Sequence, residues 1–389
     1  MFERDIRELS RKGLLRQLLA RTSAQGAVVA VGGKRYINFS SNDYLGLAAD
    51  PALAKAAAAA MKKYGFGSGA SRLLAGGTLL HEETEALLAD WKGTEAALVF
   101  NSGYSANIGI IPALAAEKDI IFSDELNHAS IVDGCRLSRA RTAVYRHKDV
   151  DHLKTLLKKE KGRRKIIVTD TVFSMDGDIA PVDSLYDLIG SLNSSRLTPH
   201  SSLLYLDDAH ATGVLGKGRG SLAHFNLTPE PWVLQMGTFS KALGSFGSFA
   251  AGSMEIIQWL TSTCRSLLFS TALPSPVIAA SGAAVRMVMK RPALARRLWL
   301  NRELLARLLK EAGFEVAGSE TPIIPVKTGT TAEALAMSGF LFEHGVYVPA
   351  IRPPTVREPR LRIVVTAAHE AAHIERLVYL LEKWKRRRA

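Results

Sequence analysis

The sequence predicts an α/β fold: a mostly parallel central sheet covered by helices, with a smaller α/β domain at the C-terminus. Three observations predict it. From about residue 50 to 285, helical patterns alternate with short apolar runs. Those runs are bounded by polar or turn residues, as strands buried on both faces are. After residue 285 the rhythm changes to longer helices around fewer strands. The expected division is an N-terminal helix and arm at 1–49, a large domain at 50–285 and a small domain at 286–389.

The elements follow in order. Residues 2–20 carry Phe2, Ile6, Leu9, Leu14, Leu15, Leu18 and Leu19, the spacing of an amphipathic helix. "RYINF" reads as a short strand. "PALAKAAAAAMKKYG" and "HEETEALLADWKG" read as helices. The apolar runs "AALVF", "DIIFS", "KIIVTD", "LLYLDD", "WVLQMGT" and "SFAAGS" are the candidate strands of the sheet. Further on, "PALARRLWLNRELLARLLKEAG" is a helix ending at Gly313, "IIPVKT" a strand, 331–345 a helix and "RLRIVVT" a strand. A last helix places Ile374, Leu377, Val378 and Leu381 on one face. The Ser-rich stretch "SLNSSRLTPHSS" (191–202) reads as a surface loop, and "KWKRRRA" as a solvated tail.

Composition narrows the function. At 389 residues the chain has room for two or three domains, and 22% charged residues is an ordinary soluble balance. No apolar window is long enough for a membrane span, and the N-terminus lacks a secretory apolar core, so a cytoplasmic protein is expected. Two cysteines, Cys135 and Cys264, with no CxxC pair, argue against a disulfide framework or a zinc site. A net charge of +13 suits an anionic partner such as a phosphate, a CoA thioester or an acidic carrier protein. No zinc finger, RNP-like aromatic motif or long basic helix points to nucleic acid.

Ligands of open parallel sheets gather at the carboxyl ends of the strands. Here successive apolar runs end in "NSGYSAN", "DELNHAS", "TVFSMDGD", "DDAHATG" and "TFSKALG". Lys241, in the last of these, can form a Schiff base with an aldehyde cofactor such as pyridoxal phosphate. That cofactor needs a carboxylate at its ring nitrogen, a phosphate cradle and a flat group against its ring. Asp207 is the carboxylate candidate, with Asp208 expected to pair elsewhere. Ser102, Gly103 and Tyr104 open a helix after a strand and can hold phosphate, and Thr238 can add a hydroxyl. His128 can stack on the ring, and His210 can bond its hydroxyl. The glycines of "GFGSGA" precede "SRLLAGG" rather than follow a strand, which argues against a dinucleotide site.

These residues carry a resemblance. "SSNDYLGL" (40–47), "GSGASRLLAGG" (67–77), "LNHASIVDG" (126–134), "VFSMDGD" (172–178), "DDAHATGVLG" (207–216), "TFSKALG" (238–244) and "LFSTALPS" (268–275) span nearly the whole chain. In that order they resemble the α-oxoamine synthases, a family of fold-type I pyridoxal-phosphate enzymes. The resemblance implies Lys241 as Schiff-base lysine and base, Asp207 as ring-nitrogen partner and His128 as stacking residue. It implies cofactor contacts from Gly103, Tyr104, Ser174, His210 and Thr238. Arg362 would hold the amino-acid carboxylate, and Arg16 and Thr355 the acyl substrate. Ser270 and Thr271 would reach the phosphate of a neighbouring subunit, making a homodimer with shared sites. "IRPPTV" (351–356) favours L-alanine and a pimeloyl thioester, on CoA or a carrier protein, within this family. Glycine with acetyl-CoA or succinyl-CoA is the alternative.

Overall fold

A computed structural model describes residues 1–389 except 17, 195–201, 317, 388 and 389. The chain divides into two compact units. One holds residues 50–174 and 179–295; the other holds 1–49, 175–178 and 296–389.

The larger unit is built on a seven-stranded sheet among the described residues. Its order is Ala96–Phe100, Ser248–Gly252, Val233–Thr238, Ser202–Asp207, Lys165–Asp170, Ile120–Asp124, Arg141–Tyr145. Neighbours run parallel, except that Ser248–Gly252 is antiparallel to both of its partners. The exception has a plain cause. Only residues 239–247 separate this strand from Val233–Thr238, too few for a crossover, so the chain turns straight back. Gly244 and Gly247 take φ of +61° and +103° in that turn, and a Cβ on Gly247 would lie 2.6 Å from Leu273 Cδ1.

Alternation along each strand feeds two cores. Val168, Tyr205 and Leu234 pack with Ile110, Ile111 and Leu260 on one face. Ile167, Leu204, Leu206 and Val233 pack with Leu153, Leu185 and Ile189 on the other. Each fully buried side chain of this kind contributes about 1.5–3 kcal/mol. The doubly covered sheet and its continuous apolar strands agree with the predicted fold class.

The second unit contains the hairpin Val28–Val31 and Lys34–Asn38, extended in parallel by Val346–Tyr347. A second small sheet pairs Arg360–Val364 with Ile323–Lys327 and Ala350–Ile351, both antiparallel. Helices Thr331–Glu343 and Ala371–Arg386 and the C-terminal part of Pro292–Glu311 close its core, with Leu305, Leu341, Ile363, Ile374 and Leu377 fully buried. The basic end expected as a solvated tail is helical through Arg386, and Lys385 Nζ donates to Gly313 O at 3.1 Å.

The N-terminal helix is shorter than its apolar spacing suggests. It covers Glu3–Arg11 and buries none of its residues. Gly13, at φ +65°, sits just past the cap, where a left-handed residue ends a helix. Of the polar stretch 191–202, Asn193 closes the helix Val182–Asn193 and Ser202 opens a strand; 195–201 lie outside the described residues. No helix among the described residues is long and apolar enough to cross a membrane.

Candidate active site

Parallel strands point their carboxyl ends the same way, so the residues just beyond them share one rim of the sheet. Asp207 ends its strand directly opposite Asp170. The Asp207 carboxylate is buried, with Oδ2 accepting from Asn107 Nδ2 at 2.7 Å and Oδ1 accepting from the Ala209 amide at 2.9 Å. Burial pushes its pKa up, and the Lys241 charge and the two hydrogen bonds oppose that shift. Asp208 turns to the other side. It pairs with Lys92 Nζ at 2.9 Å and accepts from the hydroxyls of Thr171 and Ser221 at 2.8 and 2.6 Å.

Lys241 projects from the 239–247 turn, which is closed by the amide of Gly244 on its carbonyl at 2.9 Å. Its charge acts on three groups at once: it opposes the upward shift of Asp207 and Asp170 and helps depress His128. Thr238, at the strand end, spends its hydroxyl inside the turn, donating to Gly247 O at 2.7 Å and accepting from the Ser240 amide at 3.1 Å.

His128 caps the helix Ala129–Leu137. Its amide donates to Asp170 Oδ2 at 2.6 Å. The residue is exposed, which leaves a flat surface for a ring. Desolvation still lowers the imidazole pKa; the Asp207 charge opposes this and Lys241 adds to it.

Ser102 caps the helix Gly103–Leu114, exchanging hydrogen bonds with Ser105 at 2.9 and 3.1 Å. Helix geometry leaves the amides of Gly103 and Tyr104 without intrahelical acceptors. A Cβ on Gly103 would meet only Met236 Cε, at 3.9 Å, so packing does not demand glycine there. Tyr104 is exposed and donates to Asp133 Oδ2 at 2.9 Å. His210 is buried in the turn after Asp207, and Ser174 is half-buried. Thr271 bridges Ser71, and its carbonyl accepts from Asn101 Nδ2 at 2.9 Å, one residue before Ser102; Ser270 is half-buried beside it.

These are the features of a nucleophilic amine among buried carboxylates and a helix N-terminus, and the aminotransferase class I and II profile matches residues 34–381. The chain belongs to the aminotransferase class I and II family. It is 48% identical to the 8-amino-7-oxononanoate synthase of Geobacter sulfurreducens, over 96% of this chain and 95% of that one. With the 8-amino-7-oxononanoate synthase of Thermoanaerobacter pseudethanolicus the identity is 46%, over 97% and 95%. Among solved structures, serine palmitoyltransferase from S. paucimobilis, with PLP bound, superposes with a TM-score of 0.91 at 29% identity, covering 99% of this chain and 97% of that one. The 8-amino-7-oxononanoate synthase from Francisella tularensis gives 0.78 at 26%, covering 91% and 98%.

The residues of this family member fit pyridoxal phosphate. A buried carboxylate whose pKa burial raises is stabilised by a cationic N–H, which a protonated pyridine ring supplies. Gly103 leaves an open cradle at a capped helix N-terminus, where a phosphate is favoured.

In the second unit, Arg362 lies buried on strand Arg360–Val364, with Nη1 and Nη2 donating to Asn42 Oδ1 at 3.2 and 3.1 Å. Arg16 Nη2 donates to Thr355 Oγ1 at 3.1 Å, so the two residues expected at the acyl substrate meet. Arg352 secures that contact by donating to the carbonyls of Gly13 and Leu15 at 2.6 and 3.2 Å.

Asn42, Asn107, Ser130, Asp170 and Tyr205 were not singled out by sequence reasoning. Asn107 was within reach of it: it sits one helical turn after Gly103, in the same strand-end segment.

Proposed function

We propose that the chain condenses L-alanine with a pimeloyl thioester, on CoA or a carrier protein, releasing 8-amino-7-oxononanoate, CO2 and the free thiol, a step of biotin biosynthesis. It is then an acyltransferase with pyridoxal 5′-phosphate as cofactor. The observation that carries this reading is the cluster of Lys241, Asp207 and His128 at one sheet rim, in a chain that matches 8-amino-7-oxononanoate synthases over almost its whole length.

When bound, the cofactor supplies an electron-poor ring that stabilises negative charge at the amino-acid Cα. Lys241 Nζ would hold the cofactor through its aldehyde carbon and, when free, would take the Cα proton of alanine. Asp207 would accept a hydrogen bond from the ring N–H and keep that proton in place. His128 would stack on the ring, and His210 would bond its hydroxyl. Ser102, Gly103 and Tyr104 would hold the phosphate; Thr238, whose hydroxyl donates to Gly247 O in this structure, would turn that hydroxyl to the phosphate when the cofactor binds, and Ser174 would make a further cofactor contact. Arg362 pairs with the alanine carboxylate through its planar fork. Arg16 and Thr355 contact the acyl substrate.

Assaying alanine and glycine against pimeloyl, acetyl and succinyl thioesters tests this. Turnover of alanine with a pimeloyl thioester is expected; robust turnover of glycine alone would overturn the substrate choice.

The active unit is a homodimer in the cytoplasm. Ser270 and Thr271 reach the phosphate of the second copy. Phe66, Leu73, Leu74 and Phe269, all exposed, flank the bridge that joins Ser71 to Thr271 and give a second copy an apolar surface to cover. Sedimentation of the purified enzyme should report the mass of two chains, and a single-chain mass at micromolar concentration would sink the dimer.

A further inference from the structure

Three buried groups that the reaction above does not use, Tyr205, Asn107 and Ser130, join Asp207 and His128 into one hydrogen-bonded chain. Tyr205 Oη donates to Asn107 Oδ1 at 2.5 Å. Asn107 Nδ2 donates to Asp207 Oδ2 at 2.7 Å and to Ser130 Oγ at 2.8 Å. Ser130 Oγ lies 2.7 Å from His128 Nδ1, and the Ser130 amide donates to the same nitrogen at 3.2 Å. Tyr205, Asn107, Ser130 and Asp207 are all buried.

The donors along this chain point to one arrangement. A carboxamide has two N–H bonds and one acceptor oxygen. The oxygen takes the Tyr205 proton, so the two N–H bonds face Asp207 and Ser130. Ser130 Oγ accepts one of them. The Ser130 amide donates to His128 Nδ1, which makes that nitrogen an acceptor and directs the Ser130 hydroxyl proton to it as well. A ring nitrogen that receives two donors carries no proton, so the proton of the neutral ring sits on Nε2.

We propose that Asn107 and Ser130 are positioning residues: they hold His128 as a neutral imidazole protonated on Nε2, and the same carboxamide fixes one oxygen of Asp207. The inference rests on the assignment of Asp207 and His128 to the cofactor ring. It matters there for two reasons. An imidazolium stacked on a protonated pyridine ring would set two cations face to face, and a neutral ring avoids that repulsion. The edge of the cofactor ring and the group on its face also take their orientation from one amide, so they cannot drift independently. The charged groups around His128 are Asp207, Lys241 and Asp133, with Asp170 at its backbone N–H.

The test is 15N NMR of the His128 imidazole across pH in the cofactor-loaded enzyme, in wild type, Ser130→Ala and Ser130→Thr. Wild type should show Nε2 protonated and Nδ1 as acceptor. Ser130→Ala removes a donor that favours the neutral ring, so the titration midpoint should rise by about one pH unit. Ser130→Thr, which keeps the hydroxyl, should restore it. A wild-type ring protonated on Nδ1, or a midpoint that Ser130→Ala leaves unmoved, overturns the proposal. The wild-type spectrum decides the tautomer even if the alanine variant does not fold. An enzyme that shows the Nε2–H tautomer and fails to turn over alanine supports this positioning of His128 and overturns the proposed reaction instead.

Discussion

Lys241→Ala is expected to abolish covalent capture of the cofactor and to cut alanine turnover by at least roughly 10²–10⁴-fold, the range a positioned proton-transfer group contributes. The lysine has two jobs in the proposed reaction, at different steps, and alanine can do neither. The fold should survive. Lys241 is half-buried, in a turn held by the amides of Gly244 and Ser245 and by the conformations of Gly244 and Gly247. Borohydride reduction followed by peptide mapping reads the first job, since the label should sit on Lys241 in wild type and be absent from the variant. Steady-state turnover reads the second. Labelling at another lysine, or turnover within tenfold of wild type, would remove Lys241 from the centre of the mechanism.

Much of this arrangement was legible in the chain, because the features that build it are local. Apolar runs between helical patterns gave the strands, and a polar residue just past each run gave the rim. What escaped depends on distance. "RTAVY" is the edge strand Arg141–Tyr145, whose exposed Arg141 and Val144 break the apolar continuity that marked the inner strands. The antiparallel course of Ser248–Gly252 follows from the short 239–247 turn, which a pattern of apolar runs does not weigh. The N-terminal spacing continues past Arg11, while the helix stops there. Periodicity reports which residues could share a face and not whether a glycine interrupts them. The groups that hold the site residues were the hardest to read. Asn107 reaches Asp207 across 100 positions and Asn42 reaches Arg362 across 320, and only folding makes such pairs neighbours.

Asp207→Asn should separate catalysis from stability. The amide has nearly the shape of the carboxylate, but its single oxygen can serve only one of the two donors that Asp207 accepts from, Ala209 N–H on Oδ1 and Asn107 Nδ2 on Oδ2, and the negative charge is gone. Without it nothing at the buried ring edge favours the protonated pyridine nitrogen, and turnover should fall by roughly 10²–10³-fold, as when one preorganised electrostatic partner is removed. In the cofactor-free protein the same charge acts in the opposite direction. Burial raises the Asp207 pKa in the folded state. A raised acid contributes stability that is complete below its unfolded value and is lost as pH rises through its folded value. Ionising Asp207 is therefore a cost to the cofactor-free fold that the variant escapes, while the variant gives up one of the two hydrogen bonds to the carboxylate, so any loss of stability relative to wild type should be smallest at neutral pH. The variant's stability should fall less between about pH 4, the ordinary aspartate range, and neutrality. Adding pyridoxal phosphate favours wild type: the ring N–H compensates the wild-type charge, so the cofactor should raise the melting temperature of wild type by more than that of the variant. Melting curves with and without cofactor across this pH range, beside turnover, check both halves. An equal cofactor-induced rise in the two proteins would mean that Asp207 does not face the ring.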